Sequence, residues 1–136
     1  MIVQGIEVVK YVSEKTGIVV HDRAVGIGYM QDDVMIAGVS FESYTKHNIL
    51  GHQRIDKPAP RGFWLACADY AYNVLNVNRI TGFVDASNAK AIKINYKLGY
   101  ILEATIKQAG SDGGDLLIMA MWRENCTILK WHKGTV

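Results

Sequence analysis

Hydrophobic and polar residues recur along this chain with two distinct periods, and each period is typical of a different element. Over residues 2–16, apolar side chains return every three or four positions opposite a charged face, which predicts an amphipathic helix ending at Gly17. Residues 24–30, 34–44 and 46–55 instead have the strand period of two. The first half therefore predicts one helix followed by three strands. The helical residues expected to face the core are Ile2, Ile6, Val9 and Val12.

The strand at 24–30 carries small residues on one face. Ala24, Gly26 and Gly28 alternate there with larger apolar residues. Glycines inside a strand often mark a place where another backbone or a ligand approaches closely. We therefore expect a helix or a ligand to pack tightly on this face.

The second half of the chain alternates helices and strands. Pro60 is suited to the first position of a helix that extends to about Asn76. A strand at 79–85 leads into the cap cluster 85–88, a helix ended by Gly99, and two strands separated by a glycine-rich turn at 110–115. The inward residues predicted for the two helices are Phe63, Ala66, Cys67, Tyr70 and Val74 in the first, and Ala91, Ile92, Asn95 and Leu98 in the second.

This order, αβββαβαββ, predicts the architecture. Only the third and fourth strands are joined by a helix, so only they are expected to be parallel, while the others form hairpins. The fold class is α/β (α+β), with a mixed, mostly antiparallel sheet flanked by helices.

Composition narrows the functional classes. The 136 residues are expected to form one domain, 1–136, and 49% hydrophobic with 21% charged residues argues against disorder. A net charge of +2 does not call for nucleic acid or a membrane surface as partner. Without a signal peptide, a membrane span or metal-ligand spacing, we expect a cytoplasmic protein that holds no metal, with Cys67 and Cys126 as buried thiols.

Residues 79–100 resemble a known family. A strand, Asp85-x-x-Asn88, a helix and then Lys97-Leu98-Gly99-Tyr100 are similar to the last βα unit of the GNAT N-acetyltransferases. The similarity continues through residue 126, and is greatest to the subgroup that acetylates ribosomal-protein N-termini and to short phage-encoded GNAT proteins. It implies a GNAT fold that lacks the usual first strand and first helix.

The resemblance implies acetyl-coenzyme A as cosubstrate, bound where the two parallel strands splay apart. The thioester would be held beside the third strand, with a backbone N–H near His52 stabilising the oxyanion. Gly51 would allow the close approach, although a glycine there is equally typical of a strand bulge. The residues that the resemblance assigns to the cofactor are Gly51, His52, Gln53, Arg61, Gly62, Phe63, Asn88, Ala91 and Asn95.

The expected phosphate loop departs from the family pattern. The family has Gln/Arg-x-x-Gly-x-Gly/Ala before this helix, whereas this chain has Pro60-Arg61-Gly62-Phe63. Arg61 supplies a charge and Gly62 a bare amide, so the helix start can still hold a pyrophosphate. The alternative is that these residues only begin a helix.

Two asparagines on the following helix have open roles. Asn88 either caps the helix or also faces the cofactor thiol. Asn95 occupies the position at which many GNAT enzymes carry a tyrosine that protonates the departing thiolate, and an amide is a poor proton donor. Tyr96 is rotated by about 100° around the helix and is expected to pack against the sheet.

The candidates for the general base are His52, Glu42 and His47. A histidine titrates near neutral pH, and His52 lies on the strand beside the expected thioester. A structural role for His52 is the alternative, and His47 is expected to be solvated. Lys90, Lys93 and Lys97 are expected to form a solvated helix face.

These residues indicate an N-acetyltransferase in which the amine attacks the thioester directly. The acceptor is open: a small amine, a protein N-terminus, a lysine or a modified nucleobase. A GNAT-fold protein that binds coenzyme A without turnover is the alternative. Nucleic acid is not expected as a partner, and a homodimer could complete the shortened N-terminal side.

Overall fold

A computed structural model of the chain describes residues 1–17 and 23–134. Its seven strands form one sheet in the order β1-β2-β3-β4-β5-β7-β6. The strands are β1 Ile2–Gln4, β2 Val25–Gln31, β3 Val34–Glu42, β4 Asn48–Ile55, β5 Arg79–Asp85, β6 Ile101–Ile106 and β7 Leu116–Trp122. The helices are α1 Ile6–Thr16, α2 Arg61–Asp69 with a π-helical turn Tyr70–Val74, α3 Ala89–Leu98, a 3₁₀ turn Arg123–Asn125 and α4 Thr127–Gly134. No helix in these ranges is long and apolar enough to cross a membrane.

The pairing of β4 with β5 differs from every other pairing of the described strands. It is parallel, as predicted, while the other pairs are antiparallel. The two strands pair only where Asn48–Leu50 meets Arg79–Thr81. Beyond that level β4 stays paired with β3 and β5 with β7, but the edges that face each other separate.

The N-terminus departs from the sequence prediction. The chain was expected to lack the first strand of the family, but β1 pairs antiparallel with β2, Ile2 opposite Tyr29. The helix begins only after Gly5, whose φ of 126° is unsuited to a helix interior. Ile2 and Ile6 are consequently exposed. A three-residue strand is too short for the alternation of apolar residues to distinguish it from a helical turn.

Helix α1 packs on the glycine-rich face of the sheet, as the small residues of β2 predicted. A Cβ atom built on Gly26 would lie 2.7 Å from Val8 Cβ and 2.9 Å from the Gly5 carbonyl oxygen. A Cβ on Gly28 would lie 2.9 Å from Val8 Cγ2, and one on Gly38 would lie 3.1 Å from side chains of α1. We call this side of the sheet the α1 face.

The larger core lies on the opposite side, which we call the α3 face. Phe41, Ile49 and Ile80 of the sheet pack there with Phe63 and Tyr72 from the α2 segment. Cys67 and Cys126 are buried, unpaired thiols on this side, in agreement with the sequence prediction. The core therefore covers the α3 face of both β4 and β5, the strands that border the gap.

The segment after α2 does not keep the predicted inward face. Tyr70–Val74 winds as a π-helix, which has a longer hydrogen-bonded repeat than the α-helix. The change of repeat turns Ala71 and Tyr72 inward, and Tyr72 Oη donates to the Met121 carbonyl at 2.8 Å. Val74, predicted to be inward, is exposed.

Replacement of Gly26 by alanine tests the close packing of α1. We expect Gly26→Ala to lower the free energy of unfolding by about 2 kcal/mol, because the new methyl group meets helix backbone that cannot move aside. Urea denaturation measures the change. Gly62→Ala is the matched control, since a Cβ at Gly62 meets no atom within 4 Å and a small gain of about 0.5 kcal/mol is expected. Equal stabilities of the two variants would contradict the packing.

Candidate functional site

A cavity of about 810 Å³ opens where β4 and β5 separate. Because side chains alternate along each strand, the walls of this cavity come from both faces of the sheet. On β4, Gly51 and Gln53 point to the α3 face, while Leu50 and His52 point to the α1 face. The cavity therefore connects two sides of the sheet that have different chemistry.

The wall on the α3 face carries neutral amides among apolar side chains. Gln53 Nε2 donates to Asn95 Oδ1 at 2.9 Å, and Asn95 Nδ2 donates to the sulfur of Met119 at 3.6 Å. Asn95 is buried. Asn88 Oδ1 accepts from the Ala91 N–H at 3.1 Å and so caps α3. Gln53, Asn88 and Asn95 line the cavity together with Gly51 and Ala91. With His52, the structure therefore brings together six of the nine residues expected to contact the cofactor.

The free edge of β4 directs backbone groups into the gap. Lys90 Nζ donates to the carbonyl of Ile55 at 3.2 Å, so that carbonyl points towards α3 and away from β3. In a strand, the N–H and C=O of one residue point to the same edge, and so do those of the residue two positions away. The N–H of Gln53 therefore points into the gap, whereas that of His52 points towards β3. A backbone donor one residue beyond His52 therefore faces the gap.

On the α1 face, the structure brings His52 and Glu42 together. His52 Nε2 lies 3.5 Å from Glu42 Oε1, across the β3–β4 pair. His52 is only 7% exposed, and its Nε2 makes no hydrogen bond. Leu50 and Phe83 form the apolar surface beside this pair. A buried imidazole nitrogen without a partner, next to a carboxylate, is suited to accept a proton from a ligand.

Two Ser–Asp pairs line the cavity that sequence reasoning did not single out. Asp85 accepts from the Ser111 N–H at 2.9 Å and from the Ser111 hydroxyl. Asp112 accepts from the Ser87 hydroxyl at 2.6 Å, and this bond lowers the pKa of the Asp112 carboxyl. The pairs lock the β6–β7 turn to the loop that follows β5. From sequence, the turn at 110–115 could border the acceptor site, but its composition is also fully explained by the turn itself.

Tyr100 is a further cavity residue, although the sequence identified it only as the last residue of the family-like motif. It follows the Gly99 cap of α3 and lines the cavity beside Gly82, within 3.7 Å of where a Cβ of that glycine would lie. Burial raises the pKa of the Tyr100 phenol. The hydroxyl therefore stays protonated near neutral pH.

The remaining expected site residues lie outside the cavity. Phe63 is fully buried, and its N–H donates to the Pro60 carbonyl at 3.0 Å. Arg61 and Gly62 form the start of α2, whose N-terminus has no side-chain cap. They do not line the cavity, but their helix begins beyond the end of β4.

Three expectations about the surface can also be compared with the structure. His47 is exposed, as predicted, but this candidate base does not line the cavity. Tyr96, predicted to pack against the sheet, is 52% exposed, so that prediction is wrong. Tyr96 follows Asn95, which lies on the buried face of α3, so the helix turns Tyr96 away from the sheet. The predicted solvated face of lysines is exposed.

Among the described residues, no group of His, Cys, Asp or Glu is arranged to hold a metal.

Comparisons with solved structures identify the class of fold. A SpeG spermidine N-acetyltransferase chimera from Vibrio cholerae and hSSAT matches with a TM-score of 0.64 and 18% identity, over 91% of this chain and 80% of that one. Campylobacter jejuni N-acetyltransferase PseH, in complex with acetyl coenzyme A, matches with a TM-score of 0.61 and 16% identity, over 85% and 77%. Ard1 from Thermoplasma volcanium matches with a TM-score of 0.62 and 16% identity, over 71% and 69%. The chain has the GNAT N-acetyltransferase fold. No protein-family model and no curated protein matches the sequence.

A double-mutant cycle tests whether the Gln53–Asn95 bond holds the wall of the cavity. We expect Gln53→Ala and Asn95→Ala to be coupled by about 1 kcal/mol in the free energy of unfolding, because each variant removes the same partly buried hydrogen bond. Urea denaturation of the single and double variants measures the coupling. A second cycle pairs Gln53→Ala with Tyr96→Ala on the exposed side of α3, where no coupling is expected. Equal coupling in the two cycles would contradict the role of the bond.

Proposed function

We propose that the protein is an acetyl-coenzyme A-dependent N-acetyltransferase in which the acceptor amine attacks the thioester directly. The single observation that carries the proposal is the gap between β4 and β5, whose amide-lined side and carboxylate-lined side meet at one cavity. An acyl donor and an amine could reach the same point from opposite faces of the sheet. Bringing two reactants together in this way supplies much of a transfer reaction's rate.

The open edge of β4 suits the amide-containing arm of coenzyme A. The Gln53 N–H is left without a strand partner, and the side chains of Gln53 and Asn95 add further amides. An extended arm could pair with this edge as a strand would. The N-terminus of α2, with Arg61 and Gly62, would take the pyrophosphate, because helix N-termini bind anions. Asn88, at the start of α3, is placed to contact the arm from the other side of the gap.

His52 and Glu42 are the proposed base and its partner. The unpaired Nε2 of His52 can accept the proton that the ammonium must lose before attack. Glu42, 3.5 Å away, would stabilise the imidazolium that results. The Gln53 N–H would donate to the oxyanion of the tetrahedral intermediate.

Tyr100 is the proposed acid for the departing thiolate. Asn95 is held between Gln53 and Met119 and has no acidic proton to give. The Tyr100 phenol lines the same side of the cavity and remains protonated. If no group supplies this proton, the protein would bind coenzyme A without efficient turnover, which is the second candidate function that Asn95 favours.

Thermal unfolding with acetyl-coenzyme A tests the cofactor site. At a hundred times the dissociation constant, the ligand should stabilise the protein by about 2.7 kcal/mol, which raises Tm by several degrees. Gly62→Glu should abolish the shift, because its carboxylate repels a phosphate at the helix start while itself suiting a helix N-terminus. Gly62→Gln, of the same size but neutral, should retain most of the shift.

Asn88 variants separate cofactor binding from capping in the same measurement. Asn88→Ala should lower both the basal Tm and the ligand shift, while Asn88→Ser restores the cap alone. The absence of any shift at saturating acetyl-coenzyme A would overturn the proposed function.

Replacement of His52 tests the base. With a panel of primary amines as acceptors and release of free thiol as the readout, we expect His52→Gln to lower kcat about 100-fold. The acetyl-coenzyme A thermal shift should be unchanged, which shows that the variant is folded. His47→Gln is the control, since His47 is exposed outside the cavity. Equal activity of the two variants would remove His52 from the mechanism.

A further inference from the structure

A chain of side-chain hydrogen bonds crosses the sheet at the level where β4 and β5 stop pairing. Thr81 Oγ1 donates to Asn48 Oδ1 at 2.7 Å, and Arg79 Nε donates to the same Thr81 oxygen at 3.1 Å. The Arg79 guanidinium also donates to both carboxylate oxygens of Glu103, at 2.9 and 3.0 Å. The chain therefore links β6 to β5 and β5 to β4. We call its four residues, Asn48, Thr81, Arg79 and Glu103, the clamp.

The clamp lies on the α1 face, the side of the sheet on which His52 lies. Ile80 packs in the core on the α3 face, and side chains alternate along a strand, so Thr81 points to the α1 face. Thr81 is only 7% exposed, and its hydroxyl both donates and accepts within the clamp. None of the four clamp residues lines the cavity. The clamp therefore acts on the site only through the strands that it joins.

The far end of the clamp is anchored on β6. The register between β6 and β7 shifts around Glu103, and a bulge of this kind can redirect a side chain. The bond between Glu103 and Arg79 spans β7, and it lowers the pKa of the Glu103 carboxyl. The Arg79 guanidinium also lies over the Trp122 ring, 5.2 Å from its centroid. Arg79 is therefore held by two partners while its Nε donates to Thr81.

The clamp adds to a short backbone connection between the two strands of the gap. Backbone pairing of β4 with β5 covers only three levels, the last of which joins Leu50 to Thr81. Beyond that level the strands diverge, so a small change of angle there moves outer residues more than inner ones. His52 and Gln53 lie two and three residues beyond Leu50, or roughly 7 and 10 Å along β4. The Thr81–Asn48 bond therefore influences how far both residues stand from β5.

The proposed reaction divides its groups between these two strands. The base His52 and the Gln53 N–H belong to β4, whereas the Tyr100 phenol lies beside Gly82 of β5. A ligand in the gap meets both sets of groups only if the strands keep their spacing. Misplacing a catalytic group by about 1 Å can lower a rate about 100-fold. A bond that fixes the spacing therefore affects the rate as well as the stability of the fold.

We infer that Thr81 is a positioning residue, whose hydrogen bond to Asn48 sets the width of the β4–β5 gap at the level of His52. This inference rests on the proposed function, to which it adds the group that fixes the distance between the base on β4 and the acid beside β5. Arg79 and Glu103 orient the Thr81 hydroxyl so that its proton points to Asn48. Thr81 lies outside the cavity, so it takes no part in the chemistry itself.

Replacement of Thr81 by valine tests the inference, because it removes the hydroxyl and keeps the size and branching of the side chain. With primary amines as acceptors and release of free thiol as the readout, we expect kcat to fall about tenfold and the KM for acetyl-coenzyme A to change by less than about twofold. Thr81→Ser keeps the hydroxyl and should retain most of the wild-type kcat. Asn48→Ala should lower kcat as Thr81→Val does, and the double variant should lower it no further.

Tyr72→Phe is the matched control for a loss of stability. It removes the buried hydrogen bond from Tyr72 Oη to the Met121 carbonyl, and Tyr72 does not line the cavity. Each variant loses one buried hydrogen bond, so urea denaturation should show comparable losses of stability for Tyr72→Phe and Thr81→Val. Only Thr81→Val should lower kcat. An equal fall of kcat in both variants, or no fall in Thr81→Val, would overturn the inference and leave the reaction standing.

Backbone amide NMR signals test the clamp without turnover. We expect Thr81→Val to shift the signals of His52 and Gln53, which lie beyond the level of pairing, whereas Thr81→Ser and Tyr72→Phe leave them in place. If the signals shift in this way but the wild-type protein acetylates no amine, the clamp sets the gap and the proposed reaction fails. If the signals of Thr81→Val coincide with those of the wild type, the inference is overturned whatever the activity.

Discussion

The separation of β4 from β5 beyond Leu50 and Thr81 is the constraint on which the site depends. Parallel strands normally satisfy each other's backbone groups along their whole length, and unpaired buried groups are costly. Here β4 keeps β3 on one side, while α3 approaches its other side through the Lys90–Ile55 and Gln53–Asn95 hydrogen bonds. These bonds hold α3 against the open edge without closing it. The gap therefore keeps backbone donors available to a ligand.

The glycines under α1 determine how the second side of the gap is formed. Because Gly26, Gly28 and Gly38 have no side chains, α1 lies almost directly on β2 and β3. Its C-terminus consequently reaches the cavity at Thr16 and Gly17. The helix is thus part of the core packing and part of the wall of the α1 face. Larger side chains on β2 would therefore displace both α1 and this wall of the cavity.

Charge is distributed unequally between the two faces of the sheet at the gap. The wall on the α3 face is made largely of amides and apolar side chains, which can pair with a neutral amide arm. The α1 face carries the Glu42 carboxylate beside His52. The sheet thereby places a carboxylate on one side of the gap and neutral amides on the other.

Local pattern was enough to predict much of the fold. Alternation and glycine stops identified the segments around β2 to β7, because each has a period or a cap within a few residues. The parallel β4–β5 pair followed from the helix that joins them. The cap role of Asn88 also followed from its place before α3. The pattern failed at β1, where the signal is three residues long, and at the π-helical turn, which depends on a change of helical repeat. It also did not predict α4.

The site was predictable in its parts and not in its assembly. Sequence alone pointed to His52, Glu42, Gln53 and Asn95, since their residue types suit the chemistry of the family it resembles. The 3.5 Å approach of His52 to Glu42 and the pairing of Asp85 with Ser111, 26 residues away, were decided only by tertiary structure. The physical reason is range: caps, turns and periods act over a few residues, whereas strand register brings distant residues to one level and chooses the face on which each side chain lies.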